Sequence, residues 1–79
     1  MEKMVKEYNH YYKDVKRLDY IDVYRVLELF DVIDPPIQHA VKKLLCAGDR
    51  GNKSTRDDVQ EAIDSLERWK EMILEDNNK

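Results

Sequence analysis

Between Ala47 and Arg56 the chain reads Ala-Gly-Asp-Arg-Gly-Asn-Lys-Ser-Thr-Arg, so two glycines and the cations Arg50, Lys53 and Arg56 fall within ten residues. Cations beside the start of a helix can converge with its free N–H groups on one anion, and glycines let backbone amides approach it. Phosphate is the natural guest. The run is not a P-loop, which needs four residues between its first glycine and its Gly-Lys-Ser/Thr end; here the order is Gly-Asp-Arg-Gly-Asn-Lys-Ser. The alternative is a helix–loop–helix corner with solvated bases. Lys42 and Lys43 lie one to two turns upstream, where at least one can add charge to the same pocket, although a lysine pair more often marks a solvated helix face.

A second group lies near the start. Tyr8, His10, Tyr11 and Tyr12 precede Lys13, and flat amphipathic rings beside a cation suit stacking on a nucleobase. Tyrosines at helical spacing serve more often in packing. Neither His10 nor His39 belongs to a local array with a serine, cysteine or acid, so neither points to nucleophilic catalysis. Asp57 and Glu61, one helical turn apart, form a weak candidate pair for magnesium, but a helix start and a solvated face account for them. Cys46 follows Leu44 and Leu45, as a buried small apolar residue would.

These residues need elements to position them. Two glycines and two prolines punctuate the chain. From Asp19 to Ile33 apolar residues recur at helical spacing, with Asp19 as N-cap and Asp22 at the acidic third position, predicting a well-buried helix. Asp34 before Pro35 and Pro36 predicts a second helix to about Ala47, closed by Gly48 in a left-handed turn. Thr55 with Asp58, or Ser54 with Asp57, forms a capping box for a third helix to about Glu75. The first fifteen residues fit either a further helix or an aromatic arm. The expected fold is all-α, three to four short helices in a single domain spanning 1–79.

Composition sets bounds on partners. The chain has 79 residues, 42% hydrophobic and 39% charged, with a net charge of −3. So short a chain buries only about 60% of its unfolded surface and calls for reinforcement. One cysteine excludes an internal disulfide, and two histidines argue against a structural metal. Self-association is the reinforcement that remains. An acidic chain argues against binding DNA or RNA polymers. Yet the stretch from Gln38 to Arg56 carries +4 and the remainder −7, which marks a compact site for a small anion. No apolar run is long enough to span a bilayer and the start lacks a signal-peptide pattern, so the sequence predicts a soluble intracellular protein without a membrane partner.

The order of several short motifs carries a resemblance. His10-Tyr11-Tyr12, Tyr20-Ile21-Asp22-Val23, Ala40-Val41-Lys42, Leu44-Leu45, the run from Ala47 to Lys53, then Asp57-Asp58-Val59, Ala62 and Leu66 follow the pattern of a family of short phage helical proteins long catalogued as a domain of unknown function. The chain resembles that family from about residue 10 to 69. One branch resembles the short nucleotide kinases of a coliphage; the other resembles the phage anti-CBASS sponges, oligomers that sequester cyclic dinucleotide signals. His39, Lys43 and Cys46 depart from the pattern's usual Asn, Tyr and Arg. The resemblance implies a non-enzymatic homo-oligomer, expected as a tetramer, that binds a cyclic GMP-AMP-like ligand without a cofactor in the bacterial host's cytoplasm. In that reading Lys42, Arg50, Lys53 and Arg56 hold phosphates and Asn52 and His39 offer hydrogen bonds. Tyr8, Tyr11 or Tyr12 stack on the bases, with His10 in the same group. Leu27, Phe30, Leu66 and Trp69 would form the association surface. A kinase would also have to hold a nucleoside triphosphate with magnesium and position its acceptor, for which 79 residues without a P-loop give little room. A protein-binding helical adaptor would leave Arg50 and Lys53 without a task.

Overall fold

A computed structural model describes residues 9–49 and 51–78 and shows an all-helical chain. A 3-10 turn, Asn9–Tyr11, is followed by irregular chain and then by helices α1 (Val23–Leu29), α2 (Pro35–Leu45) and α3 (Thr55–Asn77). Tyr8 and the residues before it lie outside the described region. No helical segment occupies residues 12–22, so beyond the 3-10 turn the described part of the opening is an arm.

Helix α1 is shorter and more exposed than its apolar spacing suggests. Asp22, not Asp19, is the N-cap, its Oδ1 accepting the Arg25 N–H at 2.9 Å. Its other end is a Schellman turn: the Val32 N–H reaches the Leu27 carbonyl at 2.9 Å and the Asp31 N–H reaches Glu28 at 3.1 Å. Those bonds stop the helix at Leu29. Only Leu27 of this helix is buried, whereas Tyr20, Tyr24 and Ile33 are mostly exposed. Seven residues make two turns, and one flank of two turns is too little surface to bury them all.

Helices α2 and α3 form an antiparallel hairpin, the principal packing in the chain. Pro35 begins α2 as expected, but Asp34 makes no side-chain cap; its Oδ2 accepts the Trp69 indole N–H at 3.1 Å instead. Helix α2 ends at Leu45, and Gly48 makes the left-handed turn at φ 80°. At the start of α3 Ser54 is the cap, accepting the Asp57 N–H at 3.0 Å. With 23 residues α3 runs about 35 Å, against about 16 Å for the 11 residues of α2. Its C-terminal turns extend past the partner helix.

The hairpin is joined by polar pairs. From the open end to the loop these are Asp34 with Trp69, His39 with Ser65 at 2.6 Å, Lys43 with Glu61 at 2.7 Å, and the Gly48 N–H donating to Asp58 Oδ2 at 2.8 Å. The two residue numbers in each pair sum to 103–106, the signature of one antiparallel register. Ala40 and Ala62, both 2% exposed, occupy the same interface, and such small residues allow the backbones close approach. Larger apolar groups are displaced outward. At about 100° per residue, Val59, Ile63, Leu66 and Ile73 make one stripe on α3, and all are substantially exposed, as are Leu44 and Leu45 on α2.

Candidate functional site

The loop joining α2 to α3 is shaped by its glycines. Gly48 and Gly51 have φ of 80° and 60°, values a side-chain-bearing residue rarely adopts. A Cβ at Gly48 would collide with the Thr55 hydroxyl, while nothing lies within 4 Å of one at Gly51. Gly48 is therefore required twice, by its torsion and by the approach of α3. Its N–H is fixed by Asp58, whose side chain is fully buried in the first turn of α3.

The charges around this loop are rearranged by the fold. Lys43 is 7% exposed and donates to Glu61 Oε1, while Lys53 from the loop contacts Glu61 Oε2. The ammonium of Lys43, hydrogen-bonded to Glu61, and then that of Lys53 hold the Glu61 carboxyl down at about 2. Glu61 thus bridges a lysine of α2 and a lysine of the loop. Residues of the segment that carries +4 in sequence thus meet Asp58 and Glu61 of α3, both on its first two turns. Ser54 and the first-turn acids Asp57 and Asp58 already satisfy the helix start, which is consequently not a vacant anion site.

The other candidate residues take separate places. Arg50 and Tyr8 lie outside the described residues. Asn52 and Arg56 are exposed, one in the turn and one on the first turn of α3. Lys42 does not join Lys43 and Lys53; its Nζ lies 5.6 Å from the Tyr24 ring centroid, in a cleft between α1 and α2. His39, anticipated as a ligand hydrogen-bonder, is held by Ser65. The rings of His10 and Tyr11 lie 4.0 Å apart at 44°, and with Tyr12 they are exposed. Lys13, 5.3 Å from the Phe30 ring centroid, ties the arm to the end of α1, yet the 3-10 turn packs on none of the three helices.

Two chemical readings change with this geometry. Glu61 is bound by two lysines, so the Asp57–Glu61 pair does not present two open carboxylates to magnesium. Cys46 is half-buried at the end of α2. Among the described residues no group of three or more His, Cys, Asp or Glu is placed to hold a metal ion. No described helix is long and apolar enough to cross a membrane.

Sequence reasoning overlooked Glu61 as the organiser of the lysines, Asp58 as the anchor of Gly48, and Tyr24 with Asp31 as walls of a cleft. The register relation would have paired Lys43 with Glu61 once the hairpin was assumed. Nothing in the spacing reveals that α2 is rotated to turn Lys43 rather than Leu44 toward α3. Comparisons with family models, curated proteins and solved structures give no match.

Proposed function

We propose that this protein is a non-catalytic binder of small nucleotides, a sponge that sequesters a cyclic dinucleotide of the cyclic GMP-AMP type, as the motif resemblance implies. The observation that carries the reading is the Lys43–Glu61–Lys53 cluster: two ammonium groups converge on one carboxylate beside an exposed glycine loop. Arg56 and Arg50 adjoin Lys53 in sequence, and Asn52 supplies an amide. The expected setting is the bacterial host's cytoplasm during phage infection, with several copies, a tetramer in this reading, enclosing the ligand. Exposed apolar side chains on α2 and α3 supply the surface for that assembly.

A second reading has one observation behind it. Lys43 and Lys53 both have an intramolecular counterion in Glu61, which suits a helical adaptor that binds another protein and no nucleotide.

One experiment separates them. Purified protein is incubated with labelled cyclic GMP-AMP, passed through a desalting column and denatured. Recovery of intact ligand is expected, with retention reduced about tenfold by Lys53→Ala combined with Arg56→Ala, the loss of about 1.4 kcal/mol. Absence of retention removes the sponge reading, and recovery of cleaved ligand makes the protein an enzyme.

A further inference from the structure

Away from the loop, a cleft of 330 Å³ lies between α1 and α2. Leu27, Val32 and the exposed Ile33 give it apolar lining, and its rim carries Tyr24, Asp31 and Lys42. Tyr24 is 70% exposed, and Lys42 stands 5.6 Å from its ring centroid. Gln38 steadies the wall by donating from Nε2 to the Val32 carbonyl at 2.8 Å. Glu28, also on the rim, is engaged by Arg25 at 2.6 Å. Asp31 has no such partner among the described residues.

Asp31 also has a local role. It occupies the C′ position of the Schellman turn at φ 56°, a left-handed torsion that glycine adopts most readily and asparagine and aspartate next. A carboxylate there also sits at the negative end of the α1 dipole. Its charge, not its torsion, is what the helix end disfavours. A carboxylate at the negative end of a helix, without a partner among the described residues and beside a cavity, is open to a ligand that it contacts.

We infer that the α1–α2 cleft binds the base of a guanine nucleotide, with Asp31 accepting from the N1–H and N2 amino group, Lys42 donating to O6, and Tyr24 supplying the aromatic wall. The donor–acceptor order selects the base. Guanine presents an acceptor beside two donors, which an ammonium and a carboxylate lining one cleft can meet together. Adenine sets the N1 lone pair beside its amino group, so a carboxylate spanning that edge meets one donor and one repelling acceptor. A cleft of 330 Å³ falls at the small end of ligand pockets, the scale of a base rather than a whole dinucleotide. This site is distinct from the loop and does not depend on the cyclic dinucleotide reading.

The test uses the whole chain with GMP and AMP as probes, followed by amide chemical shifts and by thermal melting. GMP is expected to shift amides along residues 24–42 and to bind at least tenfold more tightly than AMP. Asp31→Gly is expected to lose that preference while raising the melting temperature of the ligand-free protein, a combination a purely structural residue cannot give. Lys42→Met is expected to weaken GMP without reversing the order of the bases. Equal shifts from both nucleotides, or unchanged GMP affinity in Asp31→Gly, overturn the inference. So does a lowered melting temperature for that variant, because Asp31 would then be structural. GMP binding with no retention of cyclic GMP-AMP would leave this site standing and remove the sponge reading; the converse would remove this site alone.

Discussion

Glu61 shows how one side chain can set the charge of a whole region. It receives a lysine from α2 and another from the loop, and its carboxyl is held at about 2 against an ordinary 4.5. A depressed folded-state value means that the unfolded chain takes up a proton first as the pH falls. The stabilisation from Glu61 is therefore complete above about pH 4.5 and is lost progressively between there and about pH 2. Carboxyl carbon shifts measured through an acid titration should show Glu61 titrating well below the ordinary glutamate value of 4.5. Glu61→Gln should lower the melting temperature at neutral pH and flatten its decline between pH 4.5 and 2. Adding Lys43→Met to that variant should recover stability, because the uncompensated buried ammonium is then gone.

At the scale of elements, the hairpin depends on how closely α3 approaches the turn after α2. Gly48 packs on Thr55 with a positive φ, whereas Gly51 has a positive φ and open space around it. Gly51→Ala should cost about 1 kcal/mol from the left-handed torsion alone. Gly48→Ala bears the same torsional cost together with displacement of Thr55 and strain on the Asp58 contact, so it should cost at least twice as much. Urea unfolding of the two variants measures the difference; equal losses would mean that α3 can shift to make room. The polar pairs along the interface fix register for a similar reason: a slip of one turn would leave Lys43 and Asp58 buried beside the wrong partners.

Considered whole, the chain is extended for its length. Its radius of gyration is 15.8 Å, against about 12 Å expected for a compact chain of 79 residues. Two of the side chains expected at an association surface are otherwise engaged. Leu27 is buried within the chain and Trp69 is half-buried on Asp34, while Phe30 and Leu66 are exposed. The stripe of Val59, Ile63, Leu66 and Ile73 is the better candidate for burial between copies. In light scattering at micromolar concentration the protein should exceed its monomer mass of 9.5 kDa, and Ile63→Glu with Leu66→Glu should return it to that mass while retaining helical circular dichroism. A wild-type mass of one chain would remove assembly from the proposed function.

Much of the fold was legible because helix boundaries are local. Prolines at 35 and 36, the left-handed Gly48 and the Ser54 cap act within a few residues of themselves, and the helices start where those signals stand. Apolar periodicity foretold three helices for the same reason, since a helix face is a property of its own spacing. Periodicity could not decide which flank of that face meets a neighbour. In α3, Ala62 and Trp69 turn toward α2 while Ile63 and Leu66 do not, although all four belong to one apolar pattern in sequence. The candidate site depended on that choice. Five bases clustered along the chain promised an open anion pocket, but the hairpin set Glu61 between Lys43 and Lys53 and carried Lys42 to Tyr24 on the opposite flank of α2. Charge counted along a chain is additive; in the fold each cation is judged by the acid placed beside it, and only packing of α2 on α3 selected that acid.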